Sequence, residues 1–179
     1  YIGSSGVVEI PSNIDGKTVT GIGASAFSSR TDLSSVSMTD SVTDIGTAAF
    51  YRCYNLRSIT IGYSVTNIGR SAFGFTGLNQ VDILDGIITI GQAAFANCGN
   101  LTSFSNGVNI KEIGSGAFSN CTSLANVSIG NNVTNIGDHA FYNCSNLHEV
   151  TIGSSVVHIG EYAFYGTRLG HVVIPDSVT

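Results

Sequence analysis

Apolar and polar positions along this chain recur with a period far longer than that of a helix or a strand. The string I-G-x-x-A-F occurs seven times, ending at Phe27, Phe50, Phe73, Phe95, Phe118, Phe141 and Phe164. Successive Phe residues lie 23, 23, 22, 23, 23 and 23 positions apart. A Leu follows each Phe by six residues, or by five in the two short copies, giving Leu33, Leu56, Leu78, Leu101, Leu124, Leu147 and Leu169. Three and five residues beyond that Leu come aliphatic pairs such as Val36/Met38, Ile59/Ile61 and Val127/Ile129. The fourth copy departs, with Phe104 and then the polar Asn106. Another aliphatic follows four residues later, and three more lead to the next Ile-Gly. Self-similarity of this kind marks a repeat architecture.

The V-x-I step alternates with period two, so it predicts a short β-strand with both aliphatics on one side. The V-x-x-I step and the A-F pair break that alternation. They predict a second bent stretch, then one turn of helix carrying Ala and Phe inward. One unit cannot bury both of its apolar edges, so it is stable only when stacked on neighbours. The expected fold is an α/β, β-rich repeat solenoid. A parallel β-sheet lines one face, with short helical turns and irregular segments on the other. The chain, 1–179, forms one domain of about seven coils, with an atypical first unit over 1–21 and the start of a truncated eighth coil over 170–179. At about 4.8 Å per strand the stack is roughly 30–35 Å long. Equivalent residues then superimpose, the Phe series as a buried spine and the Leu series as a second. The Gly after each Ile has two possible reasons, a positive φ or close approach of the neighbouring backbone.

These motifs resemble the BspA-like leucine-rich repeats, also called the Treponema pallidum type. That unit is 23 residues long, with an L-x-x-I-x-I strand and an I-G-x-x-A-F-x-x-C-x-x-L half, and the likeness extends from Val7 to Val178. The opening string I-P-x-x-I-D-G-x-x-V-x-x-I-G looks like that family's first unit, lengthened between Ile10 and Ile22. "VVIPDSVT" stops just before its expected Ile-Gly, so the natural protein is expected to continue. The resemblance implies a surface-exposed or secreted protein of a host-associated organism, with adhesion to host proteins or cells as its role. It implies no site residues beyond the scaffold.

Composition narrows the function classes. Charged residues make up 11% of the chain, against roughly 25% for an average globular protein. Seven Lys plus Arg against twelve Asp plus Glu, for a net charge of −5, disfavour nucleic acid, whose phosphates call for a basic footprint. No apolar run approaches the roughly 18 residues of a membrane span, so no insertion is expected. The first residue is Tyr1 and no basic-then-apolar leader follows, so the chain reads as a mature piece.

Candidate chemistry is sparse. Cys53, Cys98, Cys121 and Cys144 share one slot, three residues after a repeat Phe; Arg30, Thr76 and Thr167 fill it elsewhere. Stacking brings their backbones within bridging distance, but parallel side chains have poor disulfide geometry, so free buried thiols are expected. His139, His148, His158 and His171 occupy four different slots and do not converge on a metal. Glu149 and His171 share a slot in consecutive coils; they form a conceivable acid–base pair, though two polar residues on a solvated face is the plainer reading. No nucleophile elbow or phosphate-cradling loop accompanies them, so no enzyme and no cofactor is expected. Five N-x-S/T strings begin at Asn100, Asn120, Asn126, Asn132 and Asn143, and they read as by-products of the repeat. In their corner Asn120 and Asn143 are expected to bond neighbouring backbone. Tyr51, Tyr142 and Tyr165 follow a repeat Phe and fall near the same corner, either as interface residues or as surface filler.

With Val and Ile of V-x-I inward, their flanking residues form the candidate binding face. One column runs through Ser58, Gln80, Ser103, Asn126, Glu149 and His171, the other through Thr60, Asp82, Ser105, Ser128 and Thr151. This surface is short-chained and hydroxyl-rich, suited to broad, modest contacts with a protein and lacking the aromatic anchors of a hot spot. Coils 3 to 5 and the Glu149/His171 edge are its unusual regions. The function expected is a monomeric, non-catalytic protein-binding module. The alternative is a spacer that stiffens a larger surface protein and has no ligand. The inward A-F pair gives a direct check on the stacking: Ala117→Leu should lower stability by about 1–3 kcal/mol through overpacking, read from urea denaturation.

Overall fold

In the computed structural model the chain is described over residues 6–105 and 107–179. Asn106, the polar substitution in the fourth copy, and residues 1–5 lie outside the described residues, as does the side chain of Ser105. Each repeat forms one coil, and equivalent residues of consecutive coils superimpose. The rings of the Phe series stack from Phe27 to Phe164 with centroids 5.2–5.3 Å apart and planes within 11° of parallel. Phe50, Phe73, Phe95, Phe118 and Phe141 are wholly buried, while Phe27 and Phe164, at the ends of the stack, are partly exposed. Leu33 to Leu147 form the second buried ladder, and Ala49, Ala72, Ala94, Ala117 and Ala140 are buried beside the rings. Each core residue thus packs mainly on its own counterparts one coil away, which is how a repeat too small for a private core becomes stable.

The strands run along two edges. On the V-x-I edge, Val7–Ile10, Ser35–Met38 and Ser58–Thr60 pair in parallel. Gln80–Asp82 pairs with Ser103–Ser105, and Asn126–Ser128 with Glu149–Thr151. The sheet expected here is therefore interrupted twice. At the first break the bond from Asn79 N to the Arg57 carbonyl stretches to 3.5 Å, and at the second that from Ala125 N to Thr102 is 3.4 Å. The equivalent bonds on either side, from Arg57 to Ser34 and from Thr102 to Asn79, are 2.9 Å. The first break follows the short Phe73–Leu78 corner, and the second follows the atypical Phe104 copy. The eighth coil forms no strand after the second short corner: residues 170–179 are irregular, tied by Arg168 N to Leu147 and Thr179 N to Val157.

The continuous sheet lies on the other edge. Seven two-residue strands, from Gly21–Ile22 to His158–Ile159, pair in parallel with each Ile opposite the next. The spacing from V-x-x-I to the next A-F never varies, so this edge stays in register while corner length disturbs its counterpart. The Gly after each Ile is explained by close approach. A Cβ on Gly91 would stand 2.6 Å from the Ile68 carbonyl oxygen, and one on Gly46 2.7 Å from that of Ile22. Gly23, in the first coil, has nothing within 4 Å.

The helical face is not there. Among the described residues there are sixteen strands and no helix. The A-F corner is instead a chain of β-turns in which successive N–H groups alternate in direction. Ala49 N, Tyr51 N and Cys53 N close turns onto the carbonyls three residues back. Ala48 N, Phe50 N and Arg52 N donate to Arg70, Ala72 and Gly74 of the following coil. That alternation requires left-handed backbone twice per coil, at Ala48 (φ 54°) and Arg52 (φ 60°) and at their equivalents throughout. A helix would direct these N–H groups along its own axis and leave the next coil's carbonyls without donors. Asn97, Asn120 and Asn143 share the second of these slots at φ 55–62°. Tolerance of left-handed backbone accounts for them, in place of the expected Asn–backbone ladder; Asn120 Nδ2 bonds Ser119 Oγ at 3.2 Å.

The lengthened first unit is an antiparallel hairpin, Asn13–Ile14 with Lys17–Thr18, whose Asp15-Gly16 turn has positive φ at both residues. Asp-Gly is the sequence signal for that turn. The glycine column separates stacked from unstacked coils. Gly91→Ala should cost about 1–3 kcal/mol in chemical denaturation, whereas Gly23→Ala should be close to neutral.

Candidate functional site

The strand edge presents its candidate residues outward. Ser58, Thr60, Gln80, Asp82, Ser103, Asn126, Ser128, Glu149, Thr151 and His171 are all exposed. Pairing places Gln80 beside Ser103, Asn126 beside Glu149 and Ser128 beside Thr151; Ser105 has its backbone opposite Asp82. The two sheet breaks turn this surface into separate segments. At the second, Ser103, Asn126, Ser128, Glu149 and Thr151 surround a groove of about 380 Å³ whose floor includes Phe104 and Val127. Phe104 reaches inward and stacks on Phe118 at 4.4 Å, so the irregular fourth coil still joins the aromatic spine.

Local bonds hold several of these side chains. Gln80 Nε2 donates to Asp82 Oδ1 at 3.1 Å. With its amide nitrogen turned toward Glu149, Asn126 donates to Glu149 Oε2 at 3.3 Å and to the Ala125 carbonyl at 3.2 Å. Glu149 makes no ion pair with His171. The one ion pair among the described residues is Arg30–Asp32, at 2.6 Å on the first coil. His171 instead lines an end groove with Val150, Ile152 and Val173, and His148 Nδ1 lies 2.9 Å from the Asn146 carbonyl. No group of three potential metal ligands occurs among the described residues.

The four cysteines are free and buried. Each thiol donates to the carbonyl of a Phe in the preceding coil, Cys53 to Phe27 at 3.0 Å, Cys98 to Phe73, Cys121 to Phe95 and Cys144 to Phe118. Thr76 replaces Cys in the third coil, and its hydroxyl bonds the Phe73 carbonyl at 2.8 Å and lies 3.2 Å from Cys98 Sγ. Burial pushes the thiols up, to about 11 for Cys53 and Cys98 and about 12 for Cys144, and Cys121 moves in the same direction. They are hydrogen-bonding core groups, unsuited to nucleophilic work at neutral pH.

The turn corner carries a cluster that reading along the sequence missed. His139, Tyr142, Tyr162 and Tyr165 form a square, with centroid separations of 5.3 Å for His139–Tyr142 and His139–Tyr162, 5.4 Å for Tyr142–Tyr165 and 5.8 Å for Tyr162–Tyr165. A second group joins Tyr51 and Phe75 edge to face at 5.5 Å, with the Arg52 guanidinium over the Tyr51 ring. The signal was present as two aromatic slots three residues apart in consecutive copies. Only the turn geometry shows that both slots point outward side by side. Among the described residues no helix is long and apolar enough to cross a membrane.

Comparison with known proteins agrees with this architecture. The model of the BspA type leucine rich repeat region matches in six copies, over residues 8–105 and 66–179. A leucine-rich repeat protein of Treponema pallidum is 34% identical with a TM-score of 0.81, over 89% of this chain and 74% of its own. One from Bacteroides ovatus is 27% identical, also with a TM-score of 0.81, over 97% of this chain and 52% of its own. The chain thus spans about half the length of that relative. The pneumococcal vaccine antigen PcpA shares the fold at 18% identity and a TM-score of 0.65. No curated protein matches the chain significantly.

The thiol column yields a measurable consequence. Because the folded state raises these pKa values, the stability that they contribute is complete below the ordinary thiol value of 9.0 and is lost as pH rises through about 11–12. An aromatic disulfide reagent at pH 8 should leave all four thiols unreacted in the native chain and titrate all four in urea.

Proposed function

Because the chain belongs to the BspA-type leucine-rich repeat family, we propose that it is a non-catalytic binding module, displayed at a cell surface or secreted, whose strand edge contacts a protein. The observation that carries this reading is the groove at the second sheet break, where five candidate residues from three consecutive coils converge over an apolar floor. Ser103, Ser128 and Thr151 offer hydroxyls that both donate and accept, while Asn126 and Glu149 add an amide and a carboxylate. Phe104 and Val127 supply apolar area that such a polar surface otherwise lacks. The partner is a host matrix or receptor protein. Contact is multivalent, with individually weak contacts repeated from coil to coil on a rigid scaffold. The array acts as a monomer, and the reading invokes neither cofactor nor metal.

Immobilised chain exposed to soluble extracellular-matrix proteins should capture at least one with a Kd of about 1–50 µM, a range that modest interfaces without large anchors occupy. Replacing Ser128 and Thr151 together by Arg should weaken that capture by roughly tenfold or more, through bulk and charge placed in the groove. The control Thr66→Arg, on a different edge of the coil, should leave it unchanged. No capture in that range replaces this reading with that of a spacer.

A further inference from the structure

The turn corner presents one outward face whose character changes along the solenoid. Three columns share it: the two residues after each Ile-Gly and the one after the Phe line a common shallow shelf in coils 4 and 5. The first column holds Arg70 in coil 3 and, beyond the shelf, Asp138 and Glu161 in coils 6 and 7. In coil 2 the Arg52 guanidinium lies over the Tyr51 ring at 5.2 Å. The face is thus cationic and aromatic at coils 2 and 3, and small and neutral at coils 4 and 5. At coils 6 and 7 it is anionic and aromatic. Arg70 is exposed, and its guanidinium makes no ion pair among the described residues. Asp138 Oδ1 accepts from Glu161 N at 2.9 Å, a bond that leaves the second carboxylate oxygen for another donor.

We propose that this face pairs with the same face of a second copy, antiparallel about a two-fold axis between coils 4 and 5. That axis lies in the plane of contact and across the coils, so each column meets itself. Coil 2 then meets coil 7, coil 3 meets coil 6 and coil 4 meets coil 5. Arg70 falls opposite Asp138 of the second copy, and the two-fold axis makes the pair twice. Sizes match as charges do, with Tyr162 opposite Ala48 and His139 opposite Ser71. A Cβ on Gly74 would stand 3.2 Å from the Tyr51 ring, so that ring bridges coils 2 and 3. It comes opposite Tyr142 and Tyr165, the stacked pair of coils 6 and 7. In the middle, Ala93 and Ala96 face Gly116 and Ser119, and no long side chain holds the faces apart. A foreign protein needs to match only one of these ends. Two ends that complement each other at equal distances from one axis mark an isologous contact.

Six coils at about 4.8 Å make a face roughly 30 Å long. Its area falls short of the roughly 1,200 Å² of a stable interface, so pairing is weak, with a Kd of about 0.1–1 mM. The chain is therefore single at the micromolar concentrations of the capture experiment and pairs where it is crowded, as in a displayed layer. This face is on a different side from the groove at Ser128 and Thr151, and it stands or falls separately from protein capture there.

Sedimentation equilibrium of the chain alone, from about 10 µM to about 1 mM, brackets that range. The average mass should rise from monomer toward dimer and stop there. Arg70→Asp and Asp138→Arg, each alone, set like charges opposite one another and should weaken pairing by roughly tenfold or more. Mixed in equal amounts, the two variants re-form both ion pairs across a mixed dimer and should associate as the original chain does. Both positions are exposed, and thermal melting verifies that each variant is folded. A chain that stays monomeric at the top of the range overturns the proposal. So does association that either variant leaves unchanged, a mixture that fails to recover it, or growth past the dimer, which marks end-to-end stacking.

Discussion

Each coil must return its backbone to within hydrogen-bonding distance of the last, and everything else in this molecule follows from that return. The corner makes the demand explicit. Alternate N–H groups there close a turn within the coil or reach the carbonyls of the next, as Ala48, Phe50 and Arg52 do toward the third coil. Left-handed backbone at two positions per coil is the condition for that alternation. Most of these positions hold residues other than glycine, although each such conformation costs about 1–2 kcal/mol. Cross-coil bonds and the buried rings beneath them offset that cost, and neither exists for a coil standing alone.

The same constraint sorts positions into those that tolerate change and those that do not. Gly91 and its counterparts from Gly46 to Gly160 sit where a Cβ would strike the preceding backbone, and the buried alanines sit where the corner lies flat on the rings. The slot after the Phe carries Gly, Ala, Ser or Tyr with no effect on the stack, because it points away from it. Function in such a scaffold has to be written in the outward columns. Two stretches of those columns depart from the ordinary short polar pattern, the strand-edge groove over Phe104 and the aromatic corner of the last two complete coils.

Corner length supplies the other variable. The Ile-Gly edge pairs without interruption through seven coils, whereas the V-x-I edge breaks after the short third corner and again after the atypical fourth copy. A single residue removed at a corner displaces the strand that follows it. It leaves the Ile-Gly edge in place, since the spacing across that half of the coil never changes. The groove at the second break is thus a product of irregularity in a regular array.

The period alone determined which residues superimpose: the Phe and Leu ladders, the column of free thiols and the outward strand residues were all legible from spacing. A repeat of that length fixes which side chains meet, but it says nothing of the backbone angles inside one unit. Those angles are selected by bonds between coils, which form only on stacking. The tertiary structure therefore decided that the A-F corner is a run of turns and not a helix, that glycine answers a close approach and not a positive φ, and that Glu149 meets Asn126 and not His171. It also decided that His139, Tyr142, Tyr162 and Tyr165 stand together, because left-handed backbone turns two slots three residues apart onto one exposed face.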